Sequence, residues 1–151
     1  MRIAHIFAGL AFLVLTACHG GRLATPSGFA TLDSDDSYSY RATNAQGVVL
    51  GVRTEDNDVK ANVNFWADAL DLRLKNQGYA PLAQPVDART RGGLVGRQMR
   101  CEVTREGRVE HYWLTIFATE KKVYVVEAAG DKDVFDTASP LVESAIESLK
   151  L

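Results

Sequence analysis

Residues 94–129 read LVGRQMRCEVTREGRVEHYWLTIFATEKKVYVVEAA. At the start, Met99, Cys101 and Val103 alternate with Arg100, Glu102 and Thr104, the period of a strand with one covered face. Glu106-Gly107 forms a turn. Residues 109–119 are apolar on both faces in their middle, through Tyr112, Trp113, Leu114, Ile116 and Phe117, as a strand covered above and below must be. Glu120-Lys121-Lys122 turns the chain into residues 123–129, a second two-sided apolar strand. Three strands joined by short turns make an antiparallel meander.

The flanking sequence supplies the cover. Residues 62–77 place Val63, Trp66, Ala67, Leu70 and Leu74 at helical spacing, with Phe65, Ala69 and Leu72 widening the stripe. Gly78 stands where a left-handed C-terminal cap is needed. After the meander, Gly130 is expected to break the last strand, and residues 131–136 to form a helical turn. Ser139 and Pro140 suit the N-cap and first position of a closing helix striped by Leu141, Val142, Ala145, Ile146 and Leu149. Upstream, residues 38–43 alternate, Asn44 to Gly47 turn, and residues 48–54 complete a hairpin. A short strand within 82–90 precedes the meander. The order ββα(β)βββα specifies an α+β fold, an antiparallel sheet with packed helices.

The N-terminus has a different character. Arg2 is followed by an apolar run from Ile3 to Ala17, a secretory signal by length and flank and too short for a membrane span. Leu15-Thr16-Ala17-Cys18 resembles the lipobox of bacterial lipoproteins, in which the chain is cut before the cysteine and the thiol takes a diacylglyceryl group. The resemblance implies an anchor of three acyl chains, where one would bind only marginally. Residues 1–17 are then the signal peptide, 18–28 a lipidated tether rich in glycine, and 29–151 a single domain. His19, in place of aspartate, favours the outer over the inner membrane, with the domain in the periplasm. Cleavage removes one of 17 basic groups, Arg2, and leaves 16 against 19 acidic groups, a net charge of −3. That balance excludes a nucleic-acid binder.

The element order resembles the fold shared by the PsbP protein of photosystem II, the Ran-binding Mog protein and the bacterial lipoprotein DcrB. The matching features are the hairpin over 38–54, the Trp-containing helix over 62–77, Gly92-Gly93-Leu94-Val95-Gly96, the meander over 97–129 and the closing helix over 139–149. The resemblance implies an accessory or binding role.

The chemistry-bearing residues are sparse. Of three histidines, His5 lies in the signal and His19 in the tether, leaving His111 for the domain, too few for a multi-histidine metal site. A calcium loop starting at Asp33, with Asp35 and Asp36, would need Gly and Glu where Tyr38 and Asn44 stand. Cys101 has no partner once Cys18 is lipidated, and it sits on a strand face that reads as core, so pairing with His111 for nucleophilic catalysis is disfavoured. The glycines at 92, 93 and 96 lack the lysine of a phosphate loop. No catalytic residue, metal or cofactor is expected. Arg100, Arg105 and Arg108 form the candidate partner surface, facing anionic lipid or an acidic envelope protein. The expected function is a non-catalytic, lipid-anchored accessory protein of the cell envelope. A small-ligand binder with a groove between sheet and helix is the alternative, and an unrecognised hydrolase a third.

Overall fold

The computed structural model describes residues 20–33, 35 and 37–151; the signal segment, Cys18 and Asp36 lie outside the described residues. In chain order the elements are β1 (Phe29–Thr31), β2 (Tyr40–Asn44), β3 (Val49–Asp56), α1 (Val63–Asn76), β4 (Ala80–Pro81), β5 (Val86–Arg89), β6 (Val95–Arg105), β7 (Arg108–Ala118), β8 (Lys122–Asp131) and α2 (Lys132–Glu147). The strands form one antiparallel sheet of order β1-β2-β3-β8-β7-β6, and β4 and β5 both border the far side of β6. The α+β architecture is the one the sequence specifies.

Strand alternation divides the core into two layers. On one face, Met99, Cys101, Leu114, Ile116, Val123 and Val125 pack under Ala67 and Leu74 of α1. On the other, Trp113, Phe117, Tyr124 and Val126 pack against Phe135, Val142 and Ile146 of α2. This is why β7 is apolar on both sides, with α1 on one face and α2 on the other, and why β8 turns Val123 and Val125 to the α1-side cluster and its other apolar residues to α2. The Asn62 side chain caps α1 by accepting from Phe65 N at 3.0 Å, and Gly78, at φ +86°, ends it.

Four expectations need correction. The stripe of α1 is narrower than its apolar content, since Phe65 and Leu72 are 55 % and 60 % exposed; a sheet offers a helix one contact face, and these positions lie opposite it. α2 does not begin at Ser139. It runs unbroken from Lys132 with Pro140 inside, because Phe135 and Ala138 bury its first turns on the sheet. Proline removes the N–H that would bond Asp136 O, and Ser139 Oγ donates to that carbonyl instead, at 2.9 Å. Gly130 does not break β8. The strand continues past it to Asp131 where Val48 approaches closely, 3.1 Å from where a Cβ would stand. Residues 20–28 are not a free tether: Leu23 is buried, and Arg22 forms a β-bridge with Lys150.

Cys101 lies beneath α1, and burial first, then the nearby Asp71 carboxylate, pushes its thiol pKa up. A thiol held neutral and covered reacts slowly. Native protein should therefore resist thiol reagents and label only on unfolding. Fast labelling of folded protein would place Cys101 outside the core.

Candidate functional site

The helix α1 packs on β6 and β7, and β8 lies next to them in the sheet. Here β8 carries Glu127, the one charged residue between Lys122 and Asp131. Its register partner on β3 is Gly51, and the Tyr38 ring lies across that glycine, 2.7 Å from where a Cβ would stand. A side chain at 51 would lift the ring away. The Tyr38 hydroxyl consequently reaches over β3 and donates to Glu127 Oε2 at 3.0 Å. Arg53 Nη2 donates to Oε1 at 2.9 Å, and Tyr112 OH donates to the same oxygen. Arg41 and Arg53 flank the Tyr38 ring, 5.6 and 5.7 Å from its centroid, within cation–π range.

The Glu127 side chain is only 16 % exposed. A carboxylate so placed must be paired and hydrogen-bonded, and here three donors do it. The cluster walls a shallow groove of about 210 Å³ with Leu32, Val49 and Ala129. That lies below the roughly 300–1,000 Å³ usual for small-molecule sites. A second groove, about 360 Å³, lies between the β1–β2 edge and α2, lined by Phe29, Val134, Ala138 and Leu141 with Asn44 and Asp133. It falls inside that range.

The candidate arginines do not share a surface. Arg100 and Arg105 are an odd number of residues apart on β6 and so point to opposite faces. Arg100 lies on the α2 face, stacked 4.0 Å from the Trp113 ring centroid and donating to Glu143 at 2.7 Å and to Gln98 Oε1 at 2.7 Å. Arg105 lies on the α1 face and donates to Tyr79 OH. Arg108 is its register partner across the β6–β7 turn and is 66 % exposed. Arg105 and Arg108 are thus together, and Arg100 is apart from them.

The other residues have structural roles. Cys101 pairs in register with Tyr112, and His111 with Glu102, so the sheet separates the thiol from the imidazole. His111 is buried against Phe135, its Nδ1 is 2.8 Å from Asp136 Oδ1 and its Nε2 is 4.0 Å from Glu102. Asp35 accepts from Ser37 N and Tyr38 N and pairs with Arg41, which makes it a turn residue. Gly93, at φ +90°, closes a turn by donating to Thr90 O. Among the described residues no group of His, Cys, Asp or Glu is arranged to hold a metal ion. The Glu127 cluster escaped the sequence reading, although a lone acid in a two-sided apolar strand is a signal that it must find partners.

No protein-family model matches the chain, and no curated protein matches it by sequence. Solved structures do match in fold. LpqN of Mycobacterium tuberculosis, described as involved in cell envelope biogenesis, superposes with a TM-score of 0.68 at 14 % identity, over 86 % of this chain and 82 % of LpqN. Cyanobacterial PsbP (CyanoP) from Synechocystis sp. PCC 6803 gives 0.61 at 14 %, over 87 % and 86 %. The Pseudomonas aeruginosa protein PA94 gives 0.60 at 11 %, over 82 % and 81 %. The chain has the PsbP-like fold that its element order implied.

Burial first, and the Glu127 carboxylate second, raise the pKa of both Tyr38 and Tyr112 above 10.0. In the unfolded chain these phenols ionise near pH 10, whereas in the fold they hold their protons to higher pH. Their contribution to stability is therefore complete below that pH and is lost as pH rises through it and beyond. Urea titrations should show stability falling above about pH 10, with a shallower fall in Tyr112→Phe. Tyrosinate absorbance from Tyr112 should rise only as the protein unfolds. If Tyr112 ionises near pH 10 in the folded state, the cluster is not closed.

Proposed function

We propose that this protein is a lipid-anchored, non-catalytic accessory protein of the bacterial cell envelope, held to the outer membrane through Cys18 and facing the periplasm. The observation that carries this reading is Leu15-Thr16-Ala17-Cys18 at the end of an apolar export signal. The fold supports it by analogy, since LpqN, which shares it, is involved in cell envelope biogenesis. The buried polar groups also support it. Glu127 accepts from three side chains of the fold and His111 Nδ1 lies 2.8 Å from Asp136, so both are engaged within the fold, and the groove that Glu127 borders is shallow.

The partner surface is the β6–β7 hairpin end, with Arg105 and Arg108, and the partner an acidic envelope protein. Arg100 is excluded because Trp113 and Glu143 already hold it. Exposed arginines suit carboxylates and are screened by salt. The second reading, a small-ligand binder, is favoured by the apolar groove between the β1–β2 edge and α2.

Metabolic labelling with radioactive palmitate tests the anchor. Wild-type protein should take up label and Cys18→Ala should not; label persisting in that variant would contradict the reading. For the surface, replacing Arg105 and Arg108 by serine should leave the fold intact and reduce crosslinking to the partner several-fold in intact envelopes. Crosslinking that is unchanged and insensitive to salt would make the arginines a merely solvated end.

A further inference from the structure

The two ends of the described chain meet at one end of the sheet. Arg22 and Lys150 each donate a backbone N–H to the other's carbonyl, both at 2.9 Å. Gly21 N donates to Thr54 Oγ1 at 3.1 Å, and Ser39 Oγ donates to Gly21 O at 2.7 Å. A Cβ at Gly20 would overlap Ser39 Cβ, and one at Gly21 would stand 2.8 Å from the Tyr124 ring. The paired glycines, which have the composition of a hinge, are close-packing positions. Close packing therefore extends to Gly20, two residues after Cys18.

The stance of the domain on its membrane rests on the proposed lipidation of Cys18. Two residues span at most about 7 Å, whatever their conformation. The headgroup layer on each side of a bilayer is of the same order, roughly 5–8 Å. The geometry points to a domain that stands directly on its membrane, without a linker to swing on, and presents one fixed end of the sheet to the lipid surface. That end is identifiable. Thr54, bonded to Gly21, is two residues from the end of β3, where Asp56 pairs with Lys122 at the start of β8. The loop beyond is locked by the buried Asn57, whose Nδ2 donates to Ala61 O at 2.9 Å and to Thr119 O at 2.8 Å. Val59 in this loop is 67 % exposed, and Leu151, beside the bridged Lys150, is 53 % exposed.

Lysines and acids both occur at this end, with Lys60, Lys121 and Lys150 near Asp58 and Glu120. Lipid contact thus comes from the anchor and the two apolar side chains, and needs no anionic headgroup. The orientation has a second consequence. β6 runs 11 residues from this end to Arg105, about 33 Å at the rise of a strand. Arg105 and Arg108 then stand several Debye lengths, each about 8 Å, from the bilayer surface. They face the aqueous space, where a protein partner can reach them and the membrane cannot.

The test uses the lipidated full chain in vesicles of phosphatidylethanolamine and phosphatidylglycerol, with headgroup spin-labelled lipid as quencher. A fluorophore is placed on Val59→Cys or on Arg108→Cys; Cys18 is blocked by its lipid and Cys101 is buried. Strong quenching at 59 and background quenching at 108 are expected. Inserting about ten Gly/Ser residues between His19 and Gly20, a coil spanning roughly 17 Å, should bring quenching at 59 down towards that at 108. Equal quenching at both sites before the insertion, or no change at 59 after it, overturns the fixed stance. Failure of the anchor reads differently: the protein would not float with the vesicles, and mass spectrometry would find Cys18 free, overturning the anchor and the stance together.

Discussion

Strand β8 hydrogen-bonds to β3 on one side and to β7 on the other, and the rest of the molecule depends on that double pairing. It joins the N-terminal hairpin to a meander that begins some forty residues later, at the entropic cost of closing a long loop. A strand in that position has no free edge. Val123 and Val125 turn to the α1 layer, and Tyr124, Val126 and Ala128 turn to the α2 layer. Where the strand does carry a charge, at Glu127, the surroundings are constrained in turn. Arg53 and two tyrosines must supply donors, and Gly51 must stay bare so that Tyr38 can reach across.

Much of this was legible in the sequence for a physical reason. Side-chain alternation is a local property, so Met99 and Cys101 on one face, and apolar residues on both faces of 112–117 and 123–129, announce strands and the number of layers covering them. Partners distant in sequence are not local. The direction of Arg100 could be read from its neighbours, but its stacking on Trp113 and its pairing with Glu143 could not. The parity of 100 and 105 already put those arginines on opposite faces, and grouping them overlooked it. Gly20 and Gly21 misled because glycine serves both a mobile linker and a close approach, and composition does not distinguish the two. Pro140 misled because its preference for a first helical turn is weaker than the burial of Phe135, which starts α2 earlier.

The two ends of the sheet differ in chemistry. One gathers the Arg22–Lys150 bridge, the locked loop after β3 and two exposed apolar side chains; the other carries the β6–β7 turn with Arg105 and Arg108. Between them the faces are mostly closed, by α1 on one side and α2 on the other. The proposed role, between a membrane and a partner, would use this polarity. Of the buried polar groups, Glu127 is held by Tyr38, Arg53 and Tyr112, and His111 Nδ1 by Asp136.

Native-state hydrogen exchange tests the double pairing of β8 most directly. If β8 unites the hairpin and the meander, amides of Leu50 and Val52 in β3 should exchange only through the same global opening as those of Val125 and Val126. The Arg22 amide, bonded to Lys150 O, should be protected with them and far slower than a free tether. If β3 opens at lower denaturant than β7 and β8, or if Arg22 exchanges at the solvent rate, then the chain is not one cooperative unit beginning at Gly20.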